Sequence, residues 1–415
     1  MKRVVITGLG AITPIGNDVK LYWENLLRGV SGANMITRFD TDKFKTKFAC
    51  ELKGYSDVDY FERKEARKLD RFNQYGLIAA TEAIGDAALD FSKLNTERIG
   101  VIFSSGIGGF ETFEKEVINH VEGEFVSRFN PFFITKIISN ALSGMISIRH
   151  GLRGVNYCPV TACASSTQSI IHAFNYIKWG KADIIITGGS EAPITASSIG
   201  GFNAMRAMSV NNENYKMASR PFDTHRDGFV VGEGAGSLIV ESLDSALKRN
   251  VNIYAEIVGT GESSDAYHIT GTHPEGEGAF LAMKNAIHEA NVSVDKIDYI
   301  NAHATSTGIG DLSEINAIKK LFASNLNKIQ VSATKSMTGH LLGGTGAIEA
   351  IATCLSIMND RIPPTINTKE VDAKIPKELN LSLGEKTVKT INYGISNSFG
   401  FGGHCAALLL KKYIE

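Results

Sequence analysis

At 415 residues the chain is longer than a single hydrophobic core usually supports, so two packed halves are expected. With 43% hydrophobic residues, 21% charged residues and a formal net charge of -1, it has the make-up of an ordinary globular protein. That balance excludes global attraction to nucleic acid or an anionic membrane, and leaves any charge-guided partner to a local patch.

Taken in chain order, VVITG at Val4 reads as a first strand entering a glycine turn. Its apolar run stops at Gly8, too short for a signal-peptide core. Further strand-like runs are IGVIFSS from Ile99, ADIIITGG from Ala182, GSLIVES from Gly236, AEIVGTG from Ala255, YINAHA from Tyr299 and CAALLLKK from Cys405. Between them lie helical patterns. Residues 164–178 put Ile170, Ile171, Phe174 and Ile177 on one face, and residues 311–322 do the same behind an Asp311-x-x-Glu314 capping box. The alternation argues for a layered α/β fold. ITGLG from Ile6 resembles IVGTG from Ile257, as if the chain started twice. This suggests similar halves over 1–250 and 251–415.

No segment reaches the roughly 18 uninterrupted apolar residues of a membrane span. Cys50, Cys158, Cys163, Cys354 and Cys405 are odd in number and scattered, so neither disulfides nor a zinc site is expected and a reducing cytoplasm fits. The glycines match neither the dinucleotide spacing nor the P-loop.

Cys163 stands in PVTACASSTQS, among small residues at the start of a helix. Unsatisfied N–H groups and the helix dipole there favour thiolate, against the plain alternative of a buried small hydrophobe. His303 in NAHATSTGIGD and His340 in TKSMTGHLLGG each lie in a small-residue loop. Either alone reads as a structural histidine, but all three together read as a catalytic constellation.

These stretches and SNSFGFGG, in this order, resemble the active-site signatures of the β-ketoacyl-acyl carrier protein synthases, most closely the type II elongating enzymes. The resemblance covers essentially the whole chain. It implies a thiolase-like fold, two pseudo-symmetric βαβ-rich halves in an α-β-α-β-α arrangement, and a homodimer. It implies that Cys163 takes an acyl chain from acyl carrier protein as a thioester, while His303 and His340 bind the malonyl thioester and favour its decarboxylation. The carbanion equivalent then attacks the acyl-cysteine. It places the oxyanion hole at the N–H groups of Cys163 and Phe399, and gives Lys335 a supporting charge.

The resemblance also assigns a tunnel to Ile107, Phe202 and Phe399, with Phe133 arriving from the partner subunit. Thr305 and Thr307 would face the pantetheine arm, and glycines around Phe401 free a gating loop. No cofactor is implied. Some members hold a structural monovalent cation, here beside Asn301 and Glu349, but His404-Cys405 replaces the usual Thr-Asn. Carrier-protein docking would fall on Arg63, Lys64, Arg67, Lys68 and Arg71, one stripe if helical, and on Arg206. A solvated face is the plain alternative for that stripe. Alternatives of function are a polyketide or aryl-polyene ketosynthase, a catalytically silent chain-length subunit, and a cysteine hydrolase.

Overall fold

The computed structural model describes residues 1–126 and 128–414. Its main sheet comprises β1 (Val4–Ile12), β2 (Ile99–Ser104), β3 (Asn156–Tyr157), β4 (Ile184–Glu191), β5 (Gly234–Ser242), β6 (Ala255–Ser264), β7 (Tyr299–Asn301), β8 (Gln330–Ser332), β9 (Asn380–Leu381), β10 (Tyr393–Gly400) and β11 (His404–Lys411). Their order is β9-β8-β7-β10-β11-β6-β1-β5-β4-β2-β3. Helices α1 (Arg71–Asp86), α2 (Ser165–Lys178), α3 (Glu277–Glu289), α4 (Gly308–Phe322) and α5 (Thr345–Asn359) pack on it.

The sheet is an internal duplication. β1 runs antiparallel to β5 and β5 to β4, while β4, β2 and β3 are parallel. The succession β6, β11, β10, β7, β8 repeats that pattern. The two runs join where Val4–Ile6 pairs with Ala255–Ile257. Helices α2 and α5 fill the middle through Ile170, Phe174, Ile177, Ile348 and Ile351. Helix α1 covers the outer face of one half, and α3 and α4 that of the other. This gives the five layers of a thiolase-like fold.

The ITGLG and IVGTG repeat has a steric cause. A Cβ on Gly10 would lie 1.9 Å from the Ala79 carbonyl oxygen of α1, and one on Gly261 1.8 Å from the Ala282 carbonyl oxygen of α3. Each first strand thus needs glycine for its helix to approach this closely. The central helices share a second device. A 3₁₀ turn precedes each, Ala162–Ala164 before α2 and Leu342–Gly344 before α5, and both turns open on a residue with positive φ (Ala162 at 50°, Leu342 at 47°).

Two sequence expectations are corrected. Helix α4 starts at Gly308 rather than Asp311. The expected basic helix is broken: Arg63–Ala66 forms a four-residue helix, and Asp70, with extended backbone, caps a separate helix from Arg71. The Asp70 carboxylate accepts from Phe72 N and Thr112 N, which fixes that break.

Gly261→Ala should destabilise the protein by about 1–3 kcal/mol through overpacking, and Gly10→Ala similarly. Chemical denaturation of each variant beside wild type checks this, and an unchanged midpoint would refute the close-packing account.

Candidate active site

A cavity of about 560 Å³ lies where the halves meet, and Cys163, His303 and His340 all line it. Cys163 occupies the 3₁₀ turn ahead of α2 and is 7% exposed. His303 follows β7, and His340 follows a short helix, Lys335–Thr338, and a left-handed Gly339. The imidazoles stand edge to face, with ring centroids 5.3 Å apart. Phe399 packs against His303 and Phe229 against His340, each with a centroid separation of 5.6 Å. The walls are thus largely apolar.

This burial sets the protonation states. It pushes the Cys163 thiol up to about 12, against the opposing pull of the Lys335 ammonium and of the N–H groups of Phe401 and Cys163. The sequence expectation of a helix-stabilised thiolate is therefore corrected: in the free protein, desolvation outweighs the helix terminus. Burial, reinforced by Lys335, holds both imidazoles well below the ordinary histidine range, hence neutral. His340 Nδ1 is 2.9 Å from Thr345 Oγ1, which leaves Nε2 for the cavity.

Lys335 is not among the lining residues. It lies behind them, 1% exposed, with Nζ 2.7 Å from both carboxylate oxygens of Glu349. Thr334 Oγ1 also donates to Glu349, and burial raises that carboxyl to about 7. The supporting charge is thus a buried ion pair.

The capping-box residues act on the loop before their helix. Glu314 accepts from His303 N at 3.0 Å, Ala304 N at 2.8 Å and Asn397 Nδ2 at 2.9 Å, fixing the histidine's backbone. Asp311 accepts from Ser306 N, Thr307 N and Phe222 N. The Asp-x-x-Glu spacing was a visible signal, but it says nothing about which N–H groups are held.

Ile107, Phe202, Thr305, Thr307, Phe399, Phe401 and Arg206 line the cavity. Thr305 and Thr307 Oγ1 are 3.1 Å apart. Met205, Phe229 and Leu342 also line it and carried no sequence signal. Phe133 does not line it and stacks on Phe113 and Phe129 of its own chain. The N–H expected from Phe399 is also corrected. The N–H groups that act on the thiol are those of Phe401 and Cys163, and that of Phe399 is not among them.

Of the basic residues, Arg63, Lys64, Arg67 and Lys68 are exposed, whereas Arg71 is drawn to Glu111 at 3.0 Å. Asn301 and Glu349 do come together, since Asn301 Nδ2 donates to the Glu349 carbonyl at 3.2 Å. Both Glu349 carboxylate oxygens face Lys335, and Cys405 belongs to the core on the opposite face of the sheet from Asn301. Among the described residues, no group of three or more His, Cys, Asp or Glu could hold a metal ion.

The Beta-ketoacyl synthase N-terminal domain model matches residues 1–246, and the C-terminal domain model matches residues 254–369. The chain belongs to the β-ketoacyl synthase family. It is 50% identical over 414 residues to the 3-oxoacyl-[acyl-carrier-protein] synthase 2 of Staphylococcus aureus strain COL, covering 99% of each chain. A β-ketoacyl synthase structure from Burkholderia phymatum superposes with a TM-score of 0.92 at 30% identity over 100% of both chains. So does, at 0.91 and 30% identity over 100% of both chains, a chain of the structure titled a type II PKS acyl-carrier protein in complex with its ketosynthase bound to the hexaketide.

Two outcomes follow for this synthase site. Lys335→Met should cost about 3–5 kcal/mol by stranding a buried carboxylate, and adding Glu349→Met should recover most of it. Denaturant unfolding of both variants decides; equal stability of single and double variants would refute the pair. Alkylation of Cys163 in the free protein should rise about ten-fold per pH unit over roughly pH 7 to 10, because the thiolate remains a minor species there. A plateau near neutrality would show an activated thiolate instead.

Proposed function

We infer that the protein catalyses the decarboxylating condensation of an acyl group held on Cys163 with malonyl-acyl carrier protein, giving a β-ketoacyl product two carbons longer. It is an acyltransferase of fatty-acid chain elongation, a 3-oxoacyl-acyl carrier protein synthase of type 2. The observation that carries this is one largely apolar cavity lined by a thiol and two neutral imidazoles. Full-length 50% identity to the staphylococcal enzyme favours fatty-acid elongation over a polyketide route.

In acyl transfer the Cys163 sulfur attacks the thioester carbonyl and its proton passes to an imidazole. The N–H groups of Cys163 and Phe401 receive the oxygen as it becomes negative. The carrier thiol leaves with a proton and Cys163 holds the acyl group. The malonyl thioester then enters along Thr305 and Thr307. Neutral imidazole N–H groups donate to its carbonyl oxygen, which stabilises the enolate as carbon dioxide departs. The enolate carbon attacks the acyl-Cys163 carbonyl, the C–S bond breaks, and the released thiolate takes up one proton from solvent, its first having left with the carrier thiol. Apolar walls keep out the water that would divert the acyl-enzyme to hydrolysis.

Exposed Lys64, Arg67 and Arg206 suit an acidic carrier protein. A second copy of the chain suits the remaining apolar surface. Strand β3 is a two-residue open sheet edge, and Ile148, Val160, Phe125 and Ile134 are exposed large hydrophobics. A partner's Phe133 would reach this chain's cavity across such an interface. Among the described residues no helix is long and apolar enough to cross a membrane, and the five cysteines are free, in keeping with a cytoplasmic enzyme.

Intact mass after incubation with a medium-chain acyl carrier protein should show one acyl group on wild type and none on Cys163→Ala. His303→Ala and His340→Ala should still be acylated but release carbon dioxide from malonyl carrier protein about a hundred-fold more slowly. Condensation retained by Cys163→Ala would overturn the assignment. Charge reversal at Lys64 and Arg67 should weaken carrier binding more at low than at high salt; unchanged affinity would make that patch a solvated face.

A further inference from the structure

One buried carboxylate behind the cavity wall has no role in the reaction as described. Glu191, at the end of β4, is fully buried, and no lysine, arginine or histidine among the described residues forms an ion pair with it. Four donors converge on it instead. Oε1 accepts from Ser105 Oγ at 2.7 Å and Ile107 N at 3.1 Å. Oε2 accepts from Gly106 N at 2.7 Å and Gly343 N at 2.9 Å. Ser105 Oγ itself accepts from Gly108 N, so its proton is directed at Glu191. Every contact is a donor, and the geometry therefore requires an ionised carboxylate although burial opposes it.

The donors come from both halves of the fold. Ser105, Gly106 and Ile107 follow β2, and the last two line the cavity, whereas Gly343 belongs to the turn between His340 and α5. Both glycines are required by the approach. A Cβ on Gly343 would sit 2.6 Å from Glu191 Oε2 and 2.3 Å from Gly106 N, and one on Gly106 2.8 Å from the same oxygen. The carboxylate also acts on the thiol. The charged or titratable groups facing Cys163 are Lys335 from its short helix, Glu191 from β4, and the neutral His303 and His340 of the same cavity.

We propose that Glu191 is a positioning residue of the condensation, a negatively charged clamp that registers the Ile107 wall against the His340 loop and opposes Lys335 in the field at Cys163. This rests on the reading of Cys163 as the acylated residue. Because the Glu191 charge disfavours thiolate, it helps keep the resting nucleophile protonated until a thioester binds.

The test compares Glu191→Gln and Ser105→Ala with wild type. Cys163 alkylation by iodoacetamide is followed by peptide mass against pH, and condensation with acyl and malonyl carrier protein is followed by product. A glutamine keeps the shape but loses the charge and sets an NH₂ against two donors. Its alkylation rate at any fixed pH between about 7 and 10 should rise about ten-fold, and its kcat should fall by about ten-fold or more with little change in KM. Ser105→Ala removes two bonds, one to Glu191 and one from Gly108 N, and no charge, so its alkylation rate should stay while condensation falls about two- to ten-fold. An unchanged alkylation rate in Glu191→Gln overturns the proposal, leaving a packing role. So does condensation by Ser105→Ala equal to wild type, which decides the matter if Glu191→Gln fails to fold. Absence of acylation in wild type would sink the condensing reading itself, an outcome separate from either variant result.

Discussion

The contact of the Lys335 ammonium with the Glu349 carboxylate, closed from water behind the cavity, is the interaction around which the site is arranged. The cavity must be dry to protect an acyl-enzyme, and a dry cavity penalises every charge near it. Lys335 and Glu349 confine one positive and one negative charge to a single contact at 2.7 Å. The field of the positive end still acts on the cavity, where it disfavours imidazolium at His303 and His340 and eases the thiol toward thiolate. One buried pair thus biases all three reactive groups in the directions the chemistry needs. Two neutral imidazoles can donate to an enolate oxygen, which an apolar wall alone could not do.

A dry site built from loops raises a second difficulty, because loop N–H groups must find acceptors where no water reaches. Buried carboxylates answer it. Glu314 takes the N–H groups of His303 and Ala304, Asp311 those of Ser306 and Thr307, and Glu191 those of Gly106, Ile107 and Gly343. Glu314 and Asp311 fix the His303 loop from the helix behind it, and Glu191 fixes the Ile107 and Gly343 loops from a strand end, so the loops gain the rigidity of regular structure. The arrangement explains why several acidic residues are buried in a family site whose reaction uses none of them as an acid or base.

Much of this was legible in the sequence. The three reactive residues stand in glycine- and serine-rich segments whose composition has no packing explanation, and the duplicated ITGLG and IVGTG mark the two first strands. What stayed hidden depends on direction rather than identity. Asp311 and Glu314 have the spacing of a capping box, yet their oxygens turn toward the preceding loop. Phe399 and Phe401 are two residues apart in SNSFGFGG, and only the fold shows that the N–H acting on the thiol is that of Phe401. The basic stripe failed for a related reason. Helical spacing from Arg63 to Arg71 assumes an unbroken axis, and Asp70 ends it. Glu191 offered only a carboxylate after two glycines at a strand end, with nothing to show that four donors would meet there.

The duplication shows how one local geometry serves two purposes. The turns Ala162–Ala164 and Leu342–Gly344 occupy matching places, each opening on a residue with positive φ and each leading into a central helix. In the first half the middle residue is Cys163, whose side chain enters the cavity. In the second it is Gly343, whose lack of a side chain lets its N–H reach Glu191 beside Gly106. A side chain at 343 would collide with the loop that carries Ile107, and a glycine at 163 would leave no nucleophile. The equivalent positions therefore have opposite requirements, and the fold meets them with a change at one residue in each turn. Glu191 spans the two results, drawing the Gly343 turn toward the wall of the cavity that Cys163 opens into. Symmetry supplies the scaffold at this junction, and the departure from symmetry supplies the chemistry.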